Sequence, residues 1–268
     1  MTMTTFKVSS FDQVQIHVTQ FKTSTSGKKP VLFLHALAMS AAMWREFAQH
    51  LKIDAPMYAI DMRGHGESDR PKGPFTTAQF ARDVLAVIDH LKVDRVNLVG
   101  CSMGGTVSMA FAGQYPDRVQ SLSLIDTTAC YGADAKESWE KRGQQGFTQG
   151  LASLLAFQVE RWFSTPFAEQ NPSVVKFYQD IFVKNEAACY LETCRMLGAA
   201  DERVQLVNYK GPCSIVVGDE DYATPVAMSE EIASILPQAK LTVLQAVRHY
   251  SPIQAPELVA SCIETSMA

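Results

Sequence analysis

The chain has 268 residues, 47% apolar and 19% charged, with a formal net charge of −4. That length can bury one large core with an inserted lobe but has no room for two full catalytic domains. The slightly acidic balance offers no basic field to nucleic acid or an anionic membrane surface, which points to a small-molecule ligand.

Residues 1–8 lack the basic start and apolar run of a secretory signal, and no later apolar stretch is long enough to cross a bilayer. A cytoplasmic protein is expected. The six cysteines, Cys101, Cys130, Cys189, Cys194, Cys213 and Cys262, form no CxxC pair and read as reduced, mostly buried thiols. Residues 6–8 and 14–20 alternate as in an antiparallel hairpin at a sheet edge. A polar loop over 23–29 leads into the continuous apolar run 30–34, of buried-strand type. The pattern then predicts a helix over 41–51, a strand over 57–60, a glycine-spaced polar loop over 61–68 and an amphipathic helix over 76–91. A strand at 96–99, a tight turn and another helix follow, and after a break at Pro116 comes a strand over 119–125.

Strand and helix alternate from residue 30, which calls for an α/β fold with a mostly parallel central sheet and helices on both faces. From 128 to 208 the alternation stops. This span is helical in pattern, rich in aromatics and broken at Pro166 and Pro172. The strand pattern resumes at 213–217, followed by a helix over 226–236, a strand over 240–244 and a helix from 256 to the end. The expected division is a core over 1–127 and 209–268, with a helical lid over 128–208 inserted after the sixth strand. The plain alternative is that these helices belong to the core and bind nothing, but pockets tend to lie between lobes.

The most informative stretch is 96–106. Its apolar run ends at Gly100, Ser102 follows, and Gly104 and Gly105 open a helix. This is the GxSxG spacing of a nucleophile elbow, in which small residues flank a serine held at a sharp strand-to-helix turn. The next backbone N–H, on Met103, can donate to an oxyanion at the positive end of the helix. A glycine-rich turn whose serine only caps the helix is the bland alternative.

A serine hydroxyl needs a base, and the base an orienting carboxylate. Of the six histidines only His249 follows Ser102, in a loop after the strand ending near Leu244. Asp221 lies just past the strand over 213–217, where catalytic groups gather in such sheets. Asp219 and Glu220 share its loop, and Asp126 follows the preceding strand, so spacing leaves all four carboxylates open. Cys101 as nucleophile would need glycines where Val99 and Met103 stand. His35 and His65 have no metal-ligand spacing and read as structural hydrogen-bonders.

Taken together, these pieces resemble the α/β-hydrolase superfamily along nearly the whole chain. The matching residues are Leu34-His35-Ala36-Leu37, Asp61-x-Arg63-Gly64-x-Gly66-x-Ser68, Gly100-Cys101-Ser102-Met103-Gly104-Gly105, Tyr115-Pro116-x-Arg118-Val119, Gly218-x-x-Asp221-x-x-Thr224-Pro225 and His249. The resemblance selects Asp221 as the triad acid and implies a second oxyanion donor on Leu37 or Ala36. Within the superfamily the chain looks most like 3-oxoadipate enol-lactonases and related esterases, through Leu124-Ile125-Asp126-Thr127-Thr128-Ala129, Trp139-x-x-Arg142 and Arg161-Trp162-Phe163-Ser164-x-x-Phe167. It departs from its relatives at Ala36, where glycine is common, and at Arg248, where a small residue is usual. A cation at 248 would lower the pKa of the neighbouring base or pair with a substrate carboxylate. In the insertion, Arg142, Arg161 and Arg195 could anchor such a carboxylate, with Trp139 and Trp162 walling the pocket; each cation singly also reads as a solvated helix charge.

The expected activity is that of a cofactor-free serine hydrolase of a small carboxylic ester or enol-lactone. Its triad would be Ser102, His249 and Asp221, its oxyanion hole Met103 and Leu37, and its substrate contacts Trp139, Arg142 and Trp162. C–C bond hydrolases of ring-cleavage products, perhydrolases and slow-turnover small-molecule receptors share the same fold and parts.

Overall fold

A computed structural model describes residues 3–267. Its eight strands are β1 (Thr4–Ser9), β2 (Gln15–Lys22), β3 (Val31–Leu34), β4 (Met57–Ile60), β5 (Val96–Cys101), β6 (Val119–Ile125), β7 (Cys213–Gly218) and β8 (Lys240–Leu244). They form one sheet in the order β1-β2-β4-β3-β5-β6-β7-β8. The β1–β2 and β2–β4 pairs are antiparallel, and the remaining pairs are parallel. Strands β3, β5 and β7 are buried at every residue because helices cover both faces, which is why β3 reads as an unbroken apolar run and β5 and β7 as runs interrupted only at Asn97 and Ser214.

The helices are α1 (Phe47–His50), α2 (Thr77–His90), α3 (Met103–Gln114), α4 (Ala135–Gln149), α5 (Leu155–Trp162), α6 (Thr165–Gln170), α7 (Pro172–Val183), α8 (Ala187–Ala199), α9 (Arg203–Leu206), α10 (Val226–Ile235), α11 (Ser251–Gln254) and α12 (Pro256–Glu264). Helix α2 starts on a reciprocal cap between Thr76 and Gln79, the arrangement that satisfies two otherwise orphaned N–H groups. Helix α3 is apolar nearly all round and correspondingly buried against the sheet. Pro166 and Pro172 lie in the first turns of α6 and α7, where a missing N–H costs nothing, so they divide the helical span without kinking it.

The single helix expected over 41–51 is replaced by a 3-10 turn at Ala41–Trp44 and the short α1. The Asp61 carboxylate accepts the Ala41 N–H at 2.6 Å, and the Trp44 and Phe47 rings both pack on Phe33, at 5.0 and 6.1 Å between centroids. Tertiary anchoring of the 3-10 turn and of the start of α1 overrides the helical period there. The C-terminal helix likewise stops at Glu264 rather than running to the end.

Parallel register aligns the strand ends. Leu34 pairs with Gly100, Gly100 with Leu124, and Leu124 with Ile215, so the loops after β3, β5, β6 and β7 emerge along one edge. Helices α4 to α9 intervene between β6 and β7. Among the described residues no helix is long and apolar enough to cross a membrane.

Candidate active site

Ser102 occupies the one-residue turn between β5 and α3 with φ 53° and ψ −120°, a backbone conformation costly for a residue with a Cβ. The surroundings hold it there. Its N–H donates to the Ile125 carbonyl at 2.9 Å, and its own carbonyl accepts from Thr127 Oγ1 at 2.7 Å and from the Gly105 N–H at 2.8 Å. Small neighbours are required because a Cβ on Gly104 would run into the Leu34 carbonyl, and one on Gly100 into the Gly104 carbonyl. Cys101 is fully buried beneath the turn, and burial pushes its thiol well above the ordinary range, away from nucleophilic use.

Ser102 Oγ lies 2.8 Å from His249 Nε2, and His249 Nδ1 lies 2.8 Å from Asp221 Oδ2. All three residues are buried. Asp221 is itself oriented: Oδ1 accepts the N–H groups of Ala223 and Thr224 at 2.8 and 2.9 Å, and Oδ2 accepts the Thr224 hydroxyl at 2.9 Å. Burial opposes its ionisation, but the His249 ring and these hydrogen bonds outweigh it and hold the carboxyl below the usual carboxylate range.

The other three carboxylates do not touch His249. Asp219 is exposed and Glu220 faces Arg248. Asp126 is fully buried and serves as a strut: Oδ1 accepts the Gly218 N–H at 3.2 Å and Oδ2 the Ser251 N–H at 2.9 Å, tying the strand before Asp221 to the turn after His249.

The loop after β3 is held by His35. The Met62 N–H donates to Nε2 at 3.0 Å, which leaves Nδ1 as the protonated nitrogen that donates to the Ala36 carbonyl at 2.8 Å. Because a peptide unit is planar and trans, fixing the Ala36 carbonyl turns the Leu37 N–H to the opposite side. Among the described residues neither that N–H nor the Met103 N–H has a backbone acceptor. The left-handed residue of this loop is Ala38, at φ 58°, and Ala36 has no positive φ, so the alanine at 36 requires no rebuilding. His65 donates from Nδ1 to the Arg63 carbonyl, 3.0 Å away. Among the described residues no three His, Cys, Asp or Glu side chains group to hold a metal.

A cavity of about 740 Å³ opens over Ser102 and His249, walled by Leu37 on one side and by residues of α4 and α5 on the other, Trp139, Arg142 and Trp162 among them. Arg142 donates from Nε to the Tyr190 hydroxyl at 2.9 Å and stacks over Trp139 at 4.6 Å. Trp162 lies flat against Tyr250 at 5.1 Å. Arg161 also lines the cavity, with one nitrogen donating to the Tyr222 carbonyl at 2.6 Å. Arg195 does not: it is paired outside with Glu140 and Glu192 on the exposed faces of α4 and α8. Arg248 also points away from the cavity, its Nη1 donating to the Glu160 and Phe163 carbonyls, so it pairs with no ligand there. Tyr131, not among the residues expected from the sequence, also lines the cavity and packs edge-on against Trp139 at 5.0 Å. Its position just past β6, on the same edge as Ser102, was the available signal.

A family model described as "alpha/beta hydrolase fold" matches residues 29–256. The chain is 29% identical over 248 residues to 3-oxoadipate enol-lactonase 2 of Acinetobacter baylyi, covering 92% of this chain and 92% of that protein. It is 24% identical to the pimeloyl-[acyl-carrier protein] methyl ester esterase of Nitrosomonas europaea, over 90% of this chain and 96% of that one. Among solved structures, an enol-lactonase from Burkholderia xenovorans LB400 superposes with a TM-score of 0.92 at 27% identity, covering 98% of this chain and 99% of that chain.

Proposed function

The chain belongs to the α/β-hydrolase family, and from that premise we propose that it opens an enol-lactone bearing a free carboxylate, through an acyl-enzyme on Ser102. Hydrolysis of carboxylic ester or lactone bonds is the activity shared by its named relatives. The finer reading rests on one observation: a continuous 2.8 Å and 2.8 Å relay from Ser102 through His249 to Asp221, facing a cavity walled by aromatics and Arg142.

In this reading Ser102 Oγ attacks the acyl carbonyl while His249 Nε2 takes its proton, and Asp221 holds the Nδ1–H tautomer and stabilises the imidazolium. The N–H groups of Met103 and Leu37 receive the oxyanion at the start of α3. Collapse breaks the C–O bond and His249 returns the proton to the leaving enol oxygen. The enol stays tethered to the acyl chain and tautomerises to a ketone, which removes the nucleophile that would close the ring again. Water, deprotonated by His249, then releases the acid. Arg142 would hold the free carboxylate, and Trp139 and Trp162 the carbon skeleton, with the helices over 128–208 acting as the cover.

Ser102→Ala is expected to lower kcat on both p-nitrophenyl acetate and an enol-lactone by about a million-fold, the scale of losing a triad nucleophile. Wild-type turnover in that variant would refute the nucleophile. Sustained turnover of the enol-lactone by the unaltered protein, against a single burst, separates an enzyme from a slow receptor.

A further inference from the structure

The last carbonyls of a helix have no partner within it and must find one elsewhere. At the C-terminal end of α5 and its cap these are Glu160, Arg161, Trp162 and Phe163, and three consecutive residues meet all four. Arg248 Nη1 donates to the Glu160 carbonyl at 2.7 Å and to the Phe163 carbonyl at 3.0 Å. The His249 N–H donates to Arg161 at 3.3 Å, and the Tyr250 N–H to Trp162 at 3.0 Å. A guanidinium also suits the negative end of the helix dipole. Gln254 reinforces the joint, accepting the Ser164 N–H at 3.1 Å and donating to the Ser164 hydroxyl at 3.0 Å. The Arg248 side chain is only 14% exposed, with Glu220 Oε2 3.4 Å from its Nε.

Helix α5 supplies Phe157, Gln158, Arg161 and Trp162 to the cavity wall. The segment that would touch substrate and the loop that carries His249 are therefore hydrogen-bonded into one body. We propose that Arg248 is a positioning residue, clamping the end of α5 to the His249 loop so that the imidazole is held on Ser102. The proposal rests on the reading of His249 as the general base. An error of about 1 Å in the placement of a reacting group can cost a hundredfold in rate, so loosening this joint should appear in the chemical step.

The test uses the full-length protein with p-nitrophenyl acetate and an enol-lactone. Arg248→Ala is expected to lower kcat about tenfold with KM within about twofold, and Arg248→Lys, whose ammonium can still reach the α5 carbonyls, to recover most of the loss. The proton between His249 and Asp221 should give a far-downfield NMR resonance that is sharp in the wild type and in Arg248→Lys and broadened in Arg248→Ala. Wild-type kcat with an unaltered resonance in Arg248→Ala would overturn the proposal. So would a loss of activity that only tracks the loss of folded protein by circular dichroism. If Arg248→Ala does not fold, Arg248→Gln is judged by the same two readouts. Turnover surviving in Ser102→Ala or His249→Ala would remove the base assignment, and this proposal with it. If both are inactive while Arg248→Ala behaves as wild type, the clamp alone fails.

Discussion

Asp126 and Asp221 end neighbouring strands, both buried, and their surroundings drive them apart. Burial and the adjacent Asp221 charge push Asp126 well above the usual range, whereas at Asp221 the opposing burial is outweighed by His249 and three hydrogen bonds. One is suited to carry charge beside an imidazole and the other to brace two loops. His65 shows the same logic for a base: burial first, and then the facing His35, lower its pKa from 6.5 to about 3. A histidine with a depressed folded pKa leaves the unfolded chain binding the extra proton between those values. Its contribution to stability is therefore complete above about pH 6.5 and declines as pH falls toward 3. His65→Gln should reduce the loss of unfolding free energy between about pH 6.5 and 5 by about 2 kcal/mol. Urea titrations at the two pH values check this; an unchanged difference would reject it.

The elbow is where a whole element depends on side-chain size. Helix α3 approaches β3 so closely that Gly104 faces the Leu34 carbonyl, a backbone atom that cannot rotate away. Gly104→Ala is therefore expected to cost more than about 3 kcal/mol, beyond the usual range for overpacking a flexible core. A midpoint of urea unfolding equal to that of the wild type would show that the two elements can separate without penalty. Turn, strand and helix at this point were legible from residues 96–106 because their causes are local: an apolar run, small residues at fixed offsets and a serine between them. The stretch over 41–51 has the period of one helix but folds as a turn and a short helix, because its geometry is imposed by Asp61 and Phe33, neither of which its own periodicity reveals.

At the scale of the molecule, the cavity exists only where the sheet edge meets the helices between β6 and β7, and its selectivity should follow from that junction. Arg142→Gln is expected to raise KM for a carboxylate-bearing lactone by about tenfold or more, the scale of a lost charge-assisted hydrogen bond, while p-nitrophenyl acetate, which has no carboxylate, is hydrolysed with its KM unchanged. Equal effects on both substrates would remove Arg142 as the anchor. The alternating sheet, the strained serine turn and the sole histidine that follows it are written along the chain, since periodicity and residue order record them directly. Which of four acids meets His249, that Arg195 turns outward to Glu140 and Glu192, and that Arg248 grips α5 rather than a ligand emerge only once the chain is folded. Those choices depend on the direction of long side chains and on partners tens of residues away, where spacing along the chain carries no record of distance in space.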